Sequence, residues 1–464
     1  MKPENISRLF GTDGIRGEAG KFPLDAPTVW VIGRSLAVHL GEKTGRQPRI
    51  VIGRDTRESG SWIEQTLISG ARAARAEVQS AEIITTPGIA FLARSLPADA
   101  GVVISASHNP YQDNGLKVFD PSGRKLDDAT ERRIEKDIAA AFGQPVNDPA
   151  GSEIIAPATA EQHAAELRMR YLQYLEHDVA QDLSLRGFAM VVDCANGAAY
   201  ELAPELFERL GARVIAINNH PDGQNINHEC GSLHIESLQQ RVIEERADLG
   251  VAFDGDADRA LFVDAGGNFV DGDATMWVMA EDLKTRGELT GDIVVATVMS
   301  NIGLEIALRA RGIELIRADV GDKYVLEALL RSGAVMGGEQ SGHIIFPRLS
   351  LAGDGIITTI TLLRAICHHN KTLAELVAGF QRYPQVLVNV RVREKRPFAE
   401  LPAVHRLAQQ IEQQLGDRGR LLLRYSGTES LARVMIEGES ESEVKSQANA
   451  LAEVIKAELG SDPP

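Results

Sequence analysis

Asp254, Asp256 and Asp258 alternate along the segment GVAFDGDADR, Gly250 to Arg259, so an extended turn there aims three carboxylates at one spot. Like charges that close repel strongly unless a cation neutralises them, and hard oxygen ligands suit Mg²⁺. A calcium-binding EF-hand loop is excluded, because its sixth position is Arg259 where glycine is needed and its twelfth is Ala265 where glutamate is needed. The phosphatase patterns DxDxT and DxDxV fail as well, since the fifth position is Asp258. A solvated acidic turn would use the same residues, but the apolar run GVAF before them favours a metal site.

A second chemical loop ends the apolar run of GVVISASHNP, Gly101 to Pro110, and carries Ser105, Ser107 and His108. Serine is a poor nucleophile unaided, but a phosphorylated serine beside a divalent metal acts as a phosphoryl donor. His108 taken alone reads as structural, and Asn and Pro are ordinary turn residues. In GEQSGH, Gly338 to His343, a carboxylate, an amide, a hydroxyl and an imidazole crowd six positions, a set that matches the alternating donors and acceptors of a sugar. RYSGTE, Arg424 to Glu429, with Arg433 further on, offers backbone N–H groups and guanidinium charge to a phosphate, although a plain hairpin turn uses the same residues.

Strand ends must position these loops. Ile50–Asp55, Ala189–Asn196 and Ile293–Asn301 read as first strands of three units, and Ala76–Ile84, Gly211–Ile217 and Gly312–Ile316 as second strands. The third strand of each unit delivers the chemical loop. Strand, helix, strand, helix, strand, repeated, predicts three parallel-sheet α/β units whose loops gather at strand carboxyl ends. Val29, Ile32, Leu36 and Leu40 predict a helix from Asp25 that Gly41 stops. After Thr372 the pattern changes. Leu387–Val392, Leu421–Tyr425 and Leu431–Glu437 read as strands, and Leu401–Leu415 and Ser442–Leu459 as helices, with Ser440 and Glu443 as a capping box. These predict a small antiparallel α+β domain. Ala140–Pro157, rich in Gly, Pro and Ala, reads as the first boundary, and the domains divide at 1–155, 156–262, 263–373 and 374–464.

The 464 residues, with 44% hydrophobic and 25% charged, suffice for several cores. A net charge of −16 argues against nucleic-acid or anionic-membrane partners, so an anionic ligand needs local positive charge. Cys194, Cys230 and Cys367 lack metal or disulfide spacing, and no apolar run has membrane-spanning length, which together point to a cytoplasmic protein.

Read in order, LFGTDGIRG (Leu9 to Gly17), SASHNP, DGDADR, GEQSGH and RYSGTE resemble the α-D-phosphohexomutase superfamily over essentially the whole chain. TVMSNIGLE (Thr297 to Glu305), VGDKYV (Val320 to Val325) and Gln340 look more like its phosphoglucosamine mutase branch than its phosphomannomutase or phosphoglucomutase branches. The resemblance implies a four-domain, heart-shaped α/β enzyme with three mixed α/β domains, a mobile C-terminal α+β domain and a central cleft. It implies that Ser107 is the phosphoserine and that its phosphate, Asp254, Asp256 and Asp258 hold one Mg²⁺. Arg259 would stabilise the transferring group, and Arg16 and Lys117 would serve proton transfer or its electrostatic support, with His108 counted in the catalytic set. Glu339 and Ser341 would hold sugar hydroxyls, with His343 nearby and counted in the catalytic set, and Arg424, Ser426, Gly427, Thr428 and Arg433 the phosphate that is not reacting. The implied reaction converts glucosamine 6-phosphate and glucosamine 1-phosphate through a 1,6-bisphosphate, which also serves as primer. A sister mutase for glucose or mannose phosphates and a metal-dependent sugar phosphatase are the competing readings, and members of the branch are often homodimers. Ala257 and Ser430 depart from the common Gly and Pro without removing a ligand.

Overall fold

The computed structural model of the chain describes residues 8–11, 13–143, 157–426 and 429–460. The proposed boundary at Ala140–Pro157 therefore falls mostly outside the described residues. The chain divides into two compact units, one of Met1–Thr297 with Ala318–Val377, the other of Val298–Arg317 with Ala378–Pro464.

The first unit opens with β1 (Ile15–Glu18), β2 (Arg49–Arg54), β3 (Glu77–Ile83), β4 (Ala100–Ile104) and β5 (Asp113–Phe119), in the sheet order β1-β5-β4-β2-β3. Alternation along β2 explains the layering: Ile50 and Ile52 join one apolar core, whereas Val51 joins the core on the opposite face. A strand with apolar side chains on both faces has to be covered twice. Next come β6 (Ala189–Asp193), β7 (Arg213–Ile217), β8 (Leu249–Phe253), β9 (Ala260–Asp264) and β10 (Phe269–Val270), in the order β10-β9-β8-β6-β7. The run β5-β4-β2-β3 thus recurs as β9-β8-β6-β7.

A third copy starts with β11 (Ile293–Thr297). β13 (Gly337–Gly338) and β14 (Ile344–Ile345) continue it, and β12 (Glu314–Ala318) falls largely in the second unit.

The predicted parallel sheets are in fact mixed. β2 pairs in parallel with β3 and β4, β6 with β7 and β8, and β11 with β13, but β5, β9 and β14 return antiparallel to β4, β8 and β13. Each chemical loop is therefore the connection between a parallel strand and its antiparallel return. A short reversal of this kind fixes a loop from both ends, which a long helical crossover does not.

The first helix runs Ala26–Thr44, with Asp25 accepting from Thr28 N, and ends at Gly45 in the left-handed region at φ 67°. Gly41, expected to stop it, lies inside the helix. An interior glycine costs only about 1 kcal/mol, whereas the left-handed cap selects glycine directly.

In the second unit β15 (Gln385–Arg391), β16 (Arg420–Tyr425) and β17 (Leu431–Glu437) form an antiparallel sheet in the order β15-β17-β16. Helices Pro402–Leu415 and Glu441–Leu459 bury Val404, Ile411, Val444, Ala448, Leu451 and Ile455 in its core, and Ser440 accepts from Glu443 N at 3.4 Å. Asn301 explains why Val298–Arg317 belongs here. Its Oδ1 accepts from Gly303 N and Tyr383 N, and its Nδ2 donates to Tyr383 O and Glu437 Oε1.

Candidate active site

Loops after β4, β8 and β13 meet in the first unit. Ser107 is buried, and its Oγ donates to Asp254 Oδ2 at 2.5 Å and lies 3.3 Å from His108 Nδ1. The close approach needs Gly255, since a Cβ there would stand 2.6 Å from Ser107 O.

Asp254, Asp256 and Asp258 are buried and present ligand oxygens within 4.8 Å of one another. Burial first, and then the charges of Asp258 and Asp256, raise the Asp254 carboxyl well above the usual carboxylate range. Among the described residues, Asp256 Oδ1 and Asp258 Oδ1 are buried without a hydrogen-bond partner. Orphaned carboxylate oxygens converging in a dry site fit a hard divalent cation, and the all-oxygen donor set fits Mg²⁺.

Lys117, on β5, stands behind this triad with Nζ at 2.8 Å from Asp256 Oδ2, 3.3 Å from Asp258 Oδ2 and 3.2 Å from Asp13 Oδ2. Burial opposes its charge, but Asp13, Asp256 and Asp258 outweigh that penalty and hold it well above the ordinary lysine value. Asp13 also pairs with Arg16 and with Lys125, which in turn pairs with Asp322. Thr86 adds a further tie, its Oγ1 donating to Asp256 Oδ2 at 2.5 Å.

In front of the triad a cleft of about 480 Å³ is lined by Arg16, His108, Asp258, Arg259, Glu339 and His343, among others. Arg259 lines this cleft, with Nε 3.8 Å from Asp258 and 4.0 Å from Asp254, too far for a hydrogen bond. Burial, reinforced by Arg259 and Arg16, pushes the His108 imidazole down to about 4, so it is neutral near pH 7. Glu339 accepts from Gly321 N at 3.2 Å and from Ser341 Oγ at 3.2 Å, and His343 Nε2 is 3.9 Å from Asp258 Oδ2. Gln340 points elsewhere, donating to Asp271 at 3.3 Å.

In the second unit Arg424 on β16 lies directly opposite Arg433 on β17. Like charges opposed across a ladder are destabilising unless an anion or carboxylate relieves them, and Glu429 accepts from Arg433 Nη2 at 3.2 Å. Ser426 is buried, its Oγ accepts from Glu429 N at 3.3 Å, and its carbonyl accepts from Lys395 Nζ at 2.6 Å. Gly427 and Thr428 lie outside the described residues.

Arg57, Asn227 and Lys395 lie outside the segments that the sequence singled out, and Asp13 lies within LFGTDGIRG without a role having been read for it.

Family models for phosphoglucomutase/phosphomannomutase match the chain in series: alpha/beta/alpha domain I over residues 7–144, domain II over 169–267, domain III over 271–383 and the C-terminal domain over 387–454. A relative named phosphoglucosamine mutase from Solibacter usitatus is 49% identical, covering 97% of this chain and 99% of that protein. Another of that name, from Desulfovibrio desulfuricans, is 46% identical over 97% and 99%. Among solved structures, a phosphoglucomutase/phosphomannomutase family protein from Burkholderia thailandensis superposes with a TM-score of 0.77 at 24% identity, covering 97% of this chain and 98% of that one. The N-acetylphosphoglucosamine mutase of Aspergillus fumigatus, solved in complex with GlcNAc-6P and magnesium, gives 0.66 at 21% identity, over 98% and 97%. Four consecutive domain matches and near full-length identity close to one half leave one assignment: the chain belongs to the phosphoglucomutase/phosphomannomutase family, in its phosphoglucosamine mutase branch.

Proposed function

We propose that this chain interconverts glucosamine 6-phosphate and glucosamine 1-phosphate, with Ser107 as phosphoryl carrier. The observation that carries the reading is the buried Ser107 hydroxyl against Asp254, beside two buried carboxylate oxygens, Asp256 Oδ1 and Asp258 Oδ1, that have no hydrogen-bond partner among the described residues. Asp254, Asp256, Asp258 and the serine phosphate would hold Mg²⁺, which when bound neutralises charge on the transferring phosphoryl group.

The free 1-hydroxyl of glucosamine 6-phosphate attacks phosphorus of phosphoserine 107, the bond from phosphorus to serine oxygen breaks, and the hydroxyl proton passes to a base. The product of this half-reaction is the 1,6-bisphosphate. It turns end for end, and Ser107 Oγ takes the 6-phosphoryl group to leave glucosamine 1-phosphate. Arg259 and Arg16 line the cleft and supply positive charge to the equatorial oxygens, while Lys117 offsets the carboxylates from behind. Glu339 and Ser341 take sugar hydroxyls, with His343 beside Asp258 in the catalytic set. Arg424, Ser426, Gly427, Thr428 and Arg433 take the other phosphate, and the opposed arginine pair supports that role.

Intact-mass measurement on active protein tests the carrier. One phosphate adduct is expected, and Ser107→Ala loses both adduct and turnover; full turnover by that variant would overturn the assignment.

A further inference from the structure

Ser107 adopts φ 53°, the left-handed region, which is unfavourable for a residue with a Cβ by about 1 kcal/mol or more. Such a turn persists only when its surroundings determine it, and here every polar backbone atom of Ser107 is engaged. Its N–H donates to Ser105 Oγ at 2.9 Å, and Ser105 Oγ donates to Asp55 Oδ2 at 2.6 Å. Its carbonyl accepts from Arg57 Nη2 at 3.1 Å and from Asn227 Nδ2 at 2.9 Å.

The same two nitrogens also reach the carbonyl of Asn109, Arg57 at 2.6 Å and Asn227 at 3.2 Å. One guanidinium nitrogen and one amide nitrogen therefore each bridge the two carbonyls that flank His108. Arg57 comes from the segment after β2 and is 1% exposed; Asn227 comes from the loop after β7 and is 9% exposed. Pairing with Asp55 alone would occupy only Arg57 Nη1 and its backbone N–H. The second guanidinium nitrogen is spent entirely on the serine loop.

We propose that Arg57 and Asn227 are positioning residues for phosphoryl transfer, a two-sided clamp on the carbonyls of Ser107 and Asn109 that fixes the direction of the serine oxygen. The inference rests on Ser107 being the phosphoryl carrier. The clamp touches no reacting atom. It sets the in-line geometry on which transfer depends, and a displacement of about 1 Å at a reacting group is enough to cost about a hundredfold in rate. Because Asn227 is neutral, removing it leaves no stranded buried charge, which makes it the cleaner probe. Arg57→Lys keeps the charge beside Asp55 but supplies no rigid fork to bridge two carbonyls.

The test compares Asn227→Ala and Arg57→Lys with the parent, each charged with the 1,6-bisphosphate, by intact mass, melting temperature, steady-state kinetics and the ³¹P resonance of the phosphoserine. Both variants should carry the adduct and melt within a few degrees of the parent. Their kcat should fall at least tenfold with KM within threefold, and the ³¹P line should shift or broaden. If Arg57→Lys does not fold, Asn227→Ala decides alone. A kcat for Asn227→Ala within twofold of the parent, or a loss confined to KM, would overturn the clamp. Failure of the carrier reading itself shows differently, as turnover surviving in Ser107→Ala.

Discussion

At the scale of single residues the site is a problem of unneutralised charge. Asp256 accepts from Thr86 and Lys117 through Oδ2, and its other oxygen is without a protein partner among the described residues. Chelation should therefore stop turnover and excess Mg²⁺ restore it, and Asp256→Asn should weaken Mg²⁺ affinity at least tenfold in a direct titration and lower kcat with it. Ca²⁺ should inhibit, because its longer and looser coordination misplaces the phosphoryl group. Undiminished activity in a metal-free preparation would rule the metal out. The aspartates, Ser107 and the cleft residues were legible in the sequence because side-chain type and strand-end position both mark them. Arg57 and Asn227 were not, since each binds backbone carbonyls, and a carbonyl leaves no residue type to recognise. Ser105 accepts from Ser107 N–H and donates to Asp55, so Ser105→Ala should disturb the Ser107 turn as well.

At the scale of elements, the helix Gly355–His369 depends on a buried acid. Asp354 caps it, accepting from Ile356 N and Ile357 N at 3.0 Å, and accepts from Tyr171 OH at 2.6 Å. Burial is the larger influence and raises the carboxyl from 3.8 to about 6, against the lowering effect of those hydrogen bonds. An acid whose value is higher folded than unfolded adds stability that is complete below the unfolded value and lost as pH rises through the folded one. The loss here, between about pH 4 and pH 7, amounts to roughly 3 kcal/mol. Asp354→Asn keeps an acceptor for the cap, so its stability relative to the parent should rise from pH 5 to pH 8 in paired urea titrations. A pH-independent difference would contradict the buried charge. Strand positions were readable from apolar runs, but the antiparallel returns β5, β9 and β14 were not separated from ordinary crossovers. Lys117 makes the reason plain: a fully buried lysine inside a strand breaks the polar-out alternation on which such readings depend.

At the scale of the whole molecule, repetition allots one chemical loop to each of three α/β copies and a further loop to the C-terminal sheet. Phosphate, metal and serine contacts are common to every hexose phosphate, so discrimination is left to contacts at the C2 substituent. A panel of glucosamine, glucose and mannose 6-phosphates with bisphosphate primer should show the highest kcat/KM for glucosamine 6-phosphate. The margin should be about tenfold or more, equivalent to roughly 1.4 kcal/mol. Glucose 6-phosphate should still turn over slowly. A clear preference for glucose or mannose phosphates would move the chain to a sister branch.

Arg424 and Arg433 face each other across β16 and β17 and Glu429 accepts from Arg433, so a bound phosphate would compete with that carboxylate for the guanidinium charge. A hairpin built this way is a titratable spring: its rungs near Arg424 and Arg433 should open more readily in phosphate-free buffer and tighten as inorganic phosphate is added. Hydrogen exchange at Leu423, Tyr425 and Val434 should slow with phosphate and lose that response in Arg433→Gln. The strand pair would then be a part of the fold whose rigidity is set by the supply of its own ligand.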